Sequence, residues 1–241
     1  MKILIVHLGT LSQLIPATSI IKGLSKKSKC DITWVVEAEE YKDLFKYNKS
    51  VKRVITFSEL KKMKGIFDVL INLHPKFPHK RCRDIEIKAS FDYSFENEFK
   101  NFVDIIYHEK ISNINIFQIY YKLAGLKWKG EGYNIQYYPR TRSKNKRVGV
   151  AVANANLRHY ITNKLDLKDK RIWHIPYKKN IFKKMDEINR CKEVVTDDMT
   201  TFHLSMAMKK YVYFLRSFPS NIKMEFFGSG QIFDVPLNII Q

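Results

Sequence analysis

The sequence is poor in cysteine, glycine and acidic residues, and it lacks long apolar runs. Its three cysteines, Cys30, Cys82 and Cys191, are far apart and odd in number, which excludes a disulfide framework and the paired spacing of a zinc site. Nine glycines in 241 residues are about half the usual share, which argues against glycine-rich linkers. We therefore expect a protein of the reducing cytoplasm with one or two closely placed domains.

No stretch approaches the ~20 apolar residues that a membrane-spanning helix requires. The opening MKILIVHLGTLSQLIPA is apolar for only about six positions, which predicts a buried strand and not a signal peptide. Acidic residues number 24 against 43 lysines and arginines, a formal net charge of +19, while 45% of the chain is hydrophobic. This composition predicts a folded, soluble, basic protein, with contact to the inner face of the plasma membrane as one use of the charge.

Alternating strands and helices predict a doubly wound parallel α/β sheet in the first half of the chain. The predicted strands span residues 3–8, 31–37, 51–57 and 68–73, with a helix from Pro16 to about residue 27 and shorter helices at 39–48 and 58–64. A basic loop over 75–92 and a helix-prone region over 95–126 follow. Ligands of such sheets bind at the carboxyl ends of the strands, here residues 7–13, 37–40 and 72–80.

The polar stretch PRTRSKNK marks a domain boundary, predicted at 145/146. The second half predicts a strand at 147–153, an irregular basic segment to about Pro176, a helix at 180–190, a strand at 193–196, a helix at 200–208 and a strand at 211–215. The domains are therefore 1–145 and 146–241, the second a small α/β unit.

One junction of strand and helix suits a diphosphate. A strand ending in Asp197 and Asp198 runs into a helix that begins near Thr200, so the positive end of the helix faces the ligand edge of the sheet. Thr200 and Thr201 add hydroxyl donors. The alternative is that Asp198 only caps the helix and His203 fills its inner face, and the residues alone leave both open.

Five stretches, in nearly collinear order, resemble glycosyltransferase family 9, whose best-known members are bacterial ADP-heptose:lipopolysaccharide heptosyltransferases. They are MKILIVHLGTLSQLIPATSIIKGL, ITWVVEAEEYKDLF, FDVLINLHPKF, IFQIYYKLAGLKW and NRCKEVVTDDMTTFHLSMAMKKYVYFL. The last is similar without a gap to the family's "Val-Thr-Asn-Asp-Ser-Gly-Pro-Met-His" segment, and it places Asp198 and His203 on the family's Asp and His. The resemblance implies a GT-B-like pair of facing Rossmann-like domains, acceptor-side first and a reduced donor-binding domain second.

The same resemblance implies inverting transfer of a sugar, most simply from ADP-heptose, to a glycan, lipid-linked or protein acceptor in bacterial lipopolysaccharide biosynthesis. Together with the helix start described above, it assigns the donor to Lys170, Arg171, Asp198, Thr200, Thr201 and His203, and it places Thr10 and Gln13 on the acceptor side. Arg81 and Arg83, on the basic loop, are candidates for binding an anionic acceptor. KDKRIWHIP resembles the family's "Lys-Arg-Trp-Pro" element, and Arg158 is a further phosphate candidate. Any single cation of the 43 could instead be a solvated surface charge.

Three departures from the family open a second hypothesis. Where the family carries Gly-Asp, with the Asp proposed as general base, this chain has Ser12-Gln13, and an amide cannot take a proton. Glu37, His7 and His74 are the nearest replacements by strand-end position. Met199-Thr200-Thr201 replaces the family's Ser-Gly-Pro, and the second domain is shortened. A non-catalytic binding or assembly protein with the glycosyltransferase fold is therefore the alternative.

Other chemistries have weaker support in the sequence. His74, His79 and Cys82 do not have zinc-site spacing, so no metal is expected, and the nucleotide-sugar is a substrate, so no cofactor is expected. There is no Walker motif, and Gly228-Ser229-Gly230 does not open a dinucleotide fold. Nucleic-acid binding is the third hypothesis, which the dispersal of the basic residues and the absence of a recognition motif disfavour.

Overall fold

The fold was analysed in a computed structural model that describes residues 1–27, 29–73, 82, 84–91, 116–140, 147–167, 171–177, 180–216, 229–235 and 239. The chain divides into two compact units, Met1–Gln136 and Tyr137–Gln241. The predicted boundary at 145/146 lies within 141–146, outside the described residues. None of the described helices is long and apolar enough to cross a membrane.

Five strands of the N-terminal unit form one parallel sheet. They are β1 (Lys2–His7), β2 (Asp31–Val36), β3 (Val51–Thr56), β4 (Gly65–Asn72) and β5 (Ile85–Phe91), in the order β3-β2-β1-β4-β5. The first four match predicted strands, whereas β5 corrects the prediction of a loop over 75–92. Apolar Ile85 and Ile87 alternate with charged Glu86 and Lys88 in this edge strand, because only one of its faces is covered.

The helices of this unit are α1 (Leu11–Ala17), α2 (Ile20–Lys27), a 3₁₀ helix (Glu39–Phe45), α3 (Phe57–Leu60) and α4 (Ile116–Leu123). The single helix predicted from Pro16 is therefore wrong, because the chain forms two short helices there. Pro16 lies inside α1, where it lacks the N–H that would continue the helical bonding. The Thr18 hydroxyl donates to the carbonyl of Ile15 at 2.7 Å, at the break between the two helices.

The C-terminal unit contains β6 (Arg147–Ala151), α5 (Ala155–Lys164), β7 (Arg171–His174), α6 (Ile181–Asn189), β8 (Glu193–Thr196), α7 (Met199–Ala207), β9 (Tyr211–Arg216) and β10 (Gly230–Asp234). Its strands are parallel, in the order β10-β9-β8-β6-β7. The irregular segment predicted after β6 is wrong, since it contains α5 and β7. In α5 only Leu157 and Ile161 are buried, so its apolar periodicity is weak. This unit is the shorter of the two, yet its sheet has as many strands as the first.

Each sheet has a topological switch point, where successive strands stop adding on one side and begin on the other. In the N-terminal unit it lies between β1 and β4, and in the C-terminal unit between β6 and β8. Apolar cores cover these central strands, with Leu4, Val6 and Leu70 in one and Val150 and Val195 in the other. Crevices at the carboxyl ends of such strand pairs are the usual ligand sites of doubly wound sheets.

Candidate functional site

The start of α7 lies at the switch point of the C-terminal unit, directly after β8. Asp198 caps this helix: its carboxylate accepts the backbone N–H of Thr200 at 3.3 Å and that of Thr201 at 2.9 Å. It also accepts the Thr201 hydroxyl at 2.5 Å. The capping interpretation of Asp198 is therefore what the structure shows. The half-buried Thr200 hydroxyl has no hydrogen-bond partner among the described residues, and it is the side-chain donor that this helix end can offer to a ligand.

A buried lysine holds the same carboxylate from the neighbouring helix. The Lys184 side chain, on α6, is 6% exposed, and its Nζ lies 3.1 Å from Oδ2 of Asp198. Burial alone would raise the pKa of Asp198, but the Thr201 hydrogen bond and the Lys184 charge hold it below its usual value. The ion pair cancels the negative charge of Asp198, which would otherwise repel an anionic ligand at the helix start.

Tyr177 connects two backbone segments at this switch point. Its hydroxyl contacts the carboxylate of Asp197, accepts the N–H of Ala153 at 3.0 Å and lies 3.1 Å from the carbonyl oxygen of Ala151. It thus joins the end of β6 to the turn after β8. Burial, together with the nearby charge of Asp198, raises the pKa of Asp197. About a third of Tyr177 stays exposed, so the ring presents an aromatic surface at the ligand edge.

His203 lies on the inner face of α7, one turn below the cap. It is 3% exposed, and its ring meets that of Phe202 edge-on at 5.1 Å. Burial lowers the pKa of His203 to about 3, so the imidazole is neutral at physiological pH. Thr201 is equally buried. Both residues therefore support the helix from inside and do not line an open surface.

The first turn of α1 occupies the corresponding edge of the N-terminal unit, after β1. Gln13 folds back, so that its Oε1 accepts the backbone N–H of Thr10 at 3.0 Å. The Thr10 hydroxyl and the Ser12 hydroxyl are 2.9 Å apart. A side chain at Gly9 would clash with this amide, because a Cβ there would lie 2.4 Å from Oε1 of Gln13. Gln13 thus caps its own helix with an uncharged group.

A chain of hydrogen bonds runs beneath that turn. Nδ1 of His7 accepts the Gly9 N–H at 3.4 Å, and Nε2 of the same ring lies 3.5 Å from the Tyr120 oxygen. The Tyr120 hydroxyl donates in turn to the carbonyl of Gln13 at 2.8 Å. His7 is 3% exposed. Its acceptor nitrogen is already used, so it holds the turn in place and is poorly suited to act as a general base.

The structure brings some of the predicted site residues together and separates others. Thr10, Gln13 and Glu37 lie at the carboxyl edge of the first sheet, with Glu37 exposed just after β2. Asp198, Thr200, Thr201 and His203 gather at the start of α7. Arg171 opens β7 and pairs with Arg147, at the opposite, amino-terminal edge of the second sheet. Lys170, His74, His79, Arg81 and Arg83 lie outside the described residues.

Two residues of this edge were missed in the sequence. Lys184 stands at an inner-face position of α6, in line with the buried Ile181, Met185 and Ile188, so a lysine inside an apolar stripe was a readable signal. Tyr177 had no such signal, because it follows β7 in an irregular turn. No cluster of three or more His, Cys, Asp or Glu side chains that could hold a metal occurs among the described residues.

Comparison with known proteins supports the fold. No protein-family model matches the sequence, and no curated protein sequence matches it significantly. The chain is similar in structure to the glycosyl transferase family 9 protein from Veillonella parvula, with a TM-score of 0.70 at 12% identity, covering 97% of this chain and 86% of that one.

Two enzymes of Escherichia coli give similar matches. Heptosyltransferase WaaC, solved with ADP-2-deoxy-2-fluoro heptose, has a TM-score of 0.64 at 13% identity and covers 99% of this chain and 94% of its own. ADP-heptose lps heptosyltransferase II has a TM-score of 0.67 at 11% identity, covering 98% and 91%. The predicted GT-B-like fold, with two Rossmann-like sheets, is confirmed, and so is the structural resemblance to family 9 glycosyltransferases.

Proposed function

We propose that the protein is a glycosyltransferase that takes a sugar from a nucleotide-diphospho-sugar, ADP-heptose in the first instance, and transfers it to a glycan, lipid-linked or protein acceptor. The observation that carries this proposal is the capped start of α7, placed at a switch point of a fold shared with heptosyltransferases over nearly the whole chain. Bacterial lipopolysaccharide biosynthesis is the setting that these neighbours suggest.

The donor diphosphate is proposed to lie at the start of α7. The helix end is positive, Lys184 neutralises the carboxylate of Asp198, and the Thr200 hydroxyl can donate to a phosphate oxygen. The exposed ring of Tyr177 offers a stacking surface for the base or the sugar. Asp198 and His203 keep this loop and helix in shape, and Lys170 stays a predicted counter-charge. Arg171 is left out, since it lies at the opposite edge.

The proposed reaction is a displacement at the anomeric carbon of the donor sugar. The acceptor hydroxyl oxygen forms a bond to the anomeric carbon, the bond from that carbon to the diphosphate oxygen breaks, and the nucleoside diphosphate leaves with the electron pair. A base takes the hydroxyl proton. Gln13 cannot serve as that base because an amide has no useful basicity. Glu37, the exposed carboxylate after β2 at the same edge as Thr10 and Gln13, is the proposed replacement.

Donor binding is the first test, by calorimetric titration of ADP-heptose, other nucleotide-sugars and free nucleotides into the full chain. We expect saturable binding, and a roughly tenfold weaker Kd for Thr200→Val, because a hydrogen bond to a charged group is lost. The matched control is Thr162→Val, a half-buried threonine of α5 whose hydroxyl donates to the carbonyl of Arg158. Absence of saturable binding to every nucleotide tested would refute the donor site.

The non-catalytic alternative has one specific observation in its favour: the amide of Gln13 stands at the family's base position, with its oxygen bonded to the Thr10 N–H. Release of nucleoside diphosphate from a bound donor separates the two functions. Turnover that is lost in Glu37→Gln supports the enzyme with Glu37 as base. Donor binding without turnover, unchanged in Gln13→Asp, supports the binding or assembly protein.

A further inference from the structure

The amino-terminal edge of the first sheet contains a groove that the proposed transfer does not use. Its volume is about 410 Å³, within the usual size range of small-molecule sites, and its lining includes Lys2, Arg53, Lys64, Met63, Ile66 and Phe67. β1 is six residues long, so this edge lies roughly 20 Å along the strands from the edge of Thr10 and Gln13.

The pairing of the strands creates the groove. β4 begins at Gly65, well ahead of Val69, which pairs with Ile3, so β4 projects past the start of β1. On the other side the register between β2 and β3 shifts, and Lys52 has no partner on β2. A bulge of this kind redirects the side chains around it. The start of β4 therefore forms a wall beside the starts of β1 and β2, and the irregular start of β3 borders the groove on the other side.

The rim of the groove carries cations without matching acids. Lys52 is paired with Asp31 at 2.7 Å, the one carboxylate in the lining. Within the described part of the chain, no carboxylate lies at ion-pair distance from Lys2, Arg53 or Lys64. Asp31 interacts with the charges of both Lys52 and Lys2, so one carboxylate faces four cations of the groove. One of them, Arg53, is a guanidinium, which matches the oxygens of a phosphate. A dianion gains more from such a rim than a monoanion does.

Apart from Thr33, the rest of the lining is apolar. Phe67 is buried, Met63 is half-buried, and Ile66 is 47% exposed, so the groove also offers apolar surface to a ligand. A ligand that meets both surfaces has a doubly charged head and a compact apolar body. Bare inorganic phosphate would leave the apolar wall uncovered, and a neutral apolar compound would leave the cations unpaired.

We propose that this groove is a second ligand site of the N-terminal unit, which binds a small phosphate monoester whose remaining part is an apolar or aromatic ring. Arg53 and Lys64 hold the phosphate, Lys2 adds charge, and Met63, Ile66 and Phe67 contact the ring. The site is independent of the proposed glycosyl transfer, because it lies at the other end of the same strands.

Phenyl phosphate is the probe, and its binding to the full chain is measured by calorimetric titration. The ¹³C-methyl NMR signals of Met63 and Ile66 report where it binds. We expect saturable one-to-one binding that shifts both methyl signals. Arg53→Glu/Lys64→Glu is expected to weaken the Kd at least tenfold. The matched control is Lys127→Glu/Lys164→Glu, which removes two exposed lysines elsewhere and changes the net charge equally. Equal urea midpoints for the two double variants show that both are folded.

Four results would overturn the proposal. They are no saturable binding of phenyl phosphate, equal weakening in the control variant, inorganic phosphate binding as tightly as phenyl phosphate, and methyl signals that do not move. Vesicles of phosphatidylcholine with phosphatidic acid test whether the groove binds the phosphate of a lipid headgroup instead of a small ligand. Co-sedimentation that the Arg53→Glu/Lys64→Glu variant abolishes, without binding of soluble phenyl phosphate, would replace the small ligand with a membrane surface.

Discussion

The two carboxyl edges of this molecule share one architectural plan and differ in charge. Beneath the turn after β1, a hydrogen-bond chain runs from His7 through Tyr120 to Gln13 and contains no ion pair among the described residues. At the start of α7, a buried lysine holds a carboxylate that caps the helix. In both units a side chain of the first turn or the N-cap satisfies backbone amides that would otherwise be unpaired. The first edge is therefore held by single weak hydrogen bonds, and the second by a buried ion pair.

The largest effect is expected from breaking the charged pair. Lys184→Met leaves the carboxylate of Asp198 half-buried without its counter-charge, and we expect the free energy of unfolding to fall by about 3 kcal/mol, measured by urea denaturation. Lys184→Met/Asp198→Asn should recover most of this loss, because no buried charge remains. If the single and double variants are equally unstable, the lysine contributes by packing and not by its charge.

The next largest effect is expected from acidification, through the buried His203 of α7. Burial lowers the pKa of folded His203 to about 3, whereas an unfolded histidine takes its proton near pH 6.5. Below about pH 6.5 the histidine therefore binds a proton in the unfolded chain but not in the folded chain. The free energy of unfolding falls as the pH falls. Between pH 7 and 5.5 the expected loss is about 1 kcal/mol.

The variant His203→Leu tests this assignment. Its unfolding free energy, measured by urea denaturation at several pH values, should vary less between pH 7 and 5.5 than that of the wild type. His159→Leu, which replaces an exposed histidine of α5, is the control and should keep the full pH dependence. A His203→Leu profile parallel to the wild type would contradict the burial of a neutral imidazole. Asp198 acts in a different window: its lowered pKa makes its contribution vanish only below about pH 4.

A smaller loss of unfolding free energy is expected from breaking the hydrogen-bond chain from His7 through Tyr120 to Gln13. Tyr120→Phe removes the hydroxyl that donates to the carbonyl of Gln13 and contacts His7, at about 1 kcal/mol in the free energy of unfolding. Tyr121→Phe is the matched control, since the Tyr121 hydroxyl donates to the carbonyl of Ser19 instead. Amide hydrogen exchange of Gly9 and Thr10 should quicken only in Tyr120→Phe. Equal exchange rates in the two variants would show that the hydrogen bonds of Tyr120 do not stabilise this turn.

The smallest effect is expected at the cap of α1. Gln13→Ala removes the acceptor of the Thr10 N–H and should lower the free energy of unfolding by about 0.5 kcal/mol. Asp198→Ala, the corresponding change at α7, should lower it at least as much as Lys184→Met does, by about 3 kcal/mol, since it removes bonds to two amides and a hydroxyl and leaves the buried Lys184 unpaired. A larger loss of unfolding free energy in Gln13→Ala than in Asp198→Ala, measured by urea denaturation, would contradict the expectation that the cap of α7 is the stronger of the two.

The sequence predicted the central strands well and the peripheral elements poorly. β1 and β2 consist mainly of buried apolar residues, because both of their faces are covered, and such runs are visible in one sequence. β5 alternates with charges and α5 has two buried residues, so neither stands out from a loop. Lys184 shows the reverse case, a charge in an apolar stripe whose meaning depends on which carboxylate packs against it.

The α/β class and the absence of a carboxylate at residue 13 follow from the sequence, because each depends on local pattern or on residue identity alone, while the cap at Asp198 was one of two interpretations that the sequence left open. Only the tertiary structure decided that Lys184 neutralises that cap, that Arg171 lies at the opposite edge from it, and that four strand starts form a basic groove. Strand order and register set these neighbours, and they join residues far apart in the chain, which no local pattern specifies.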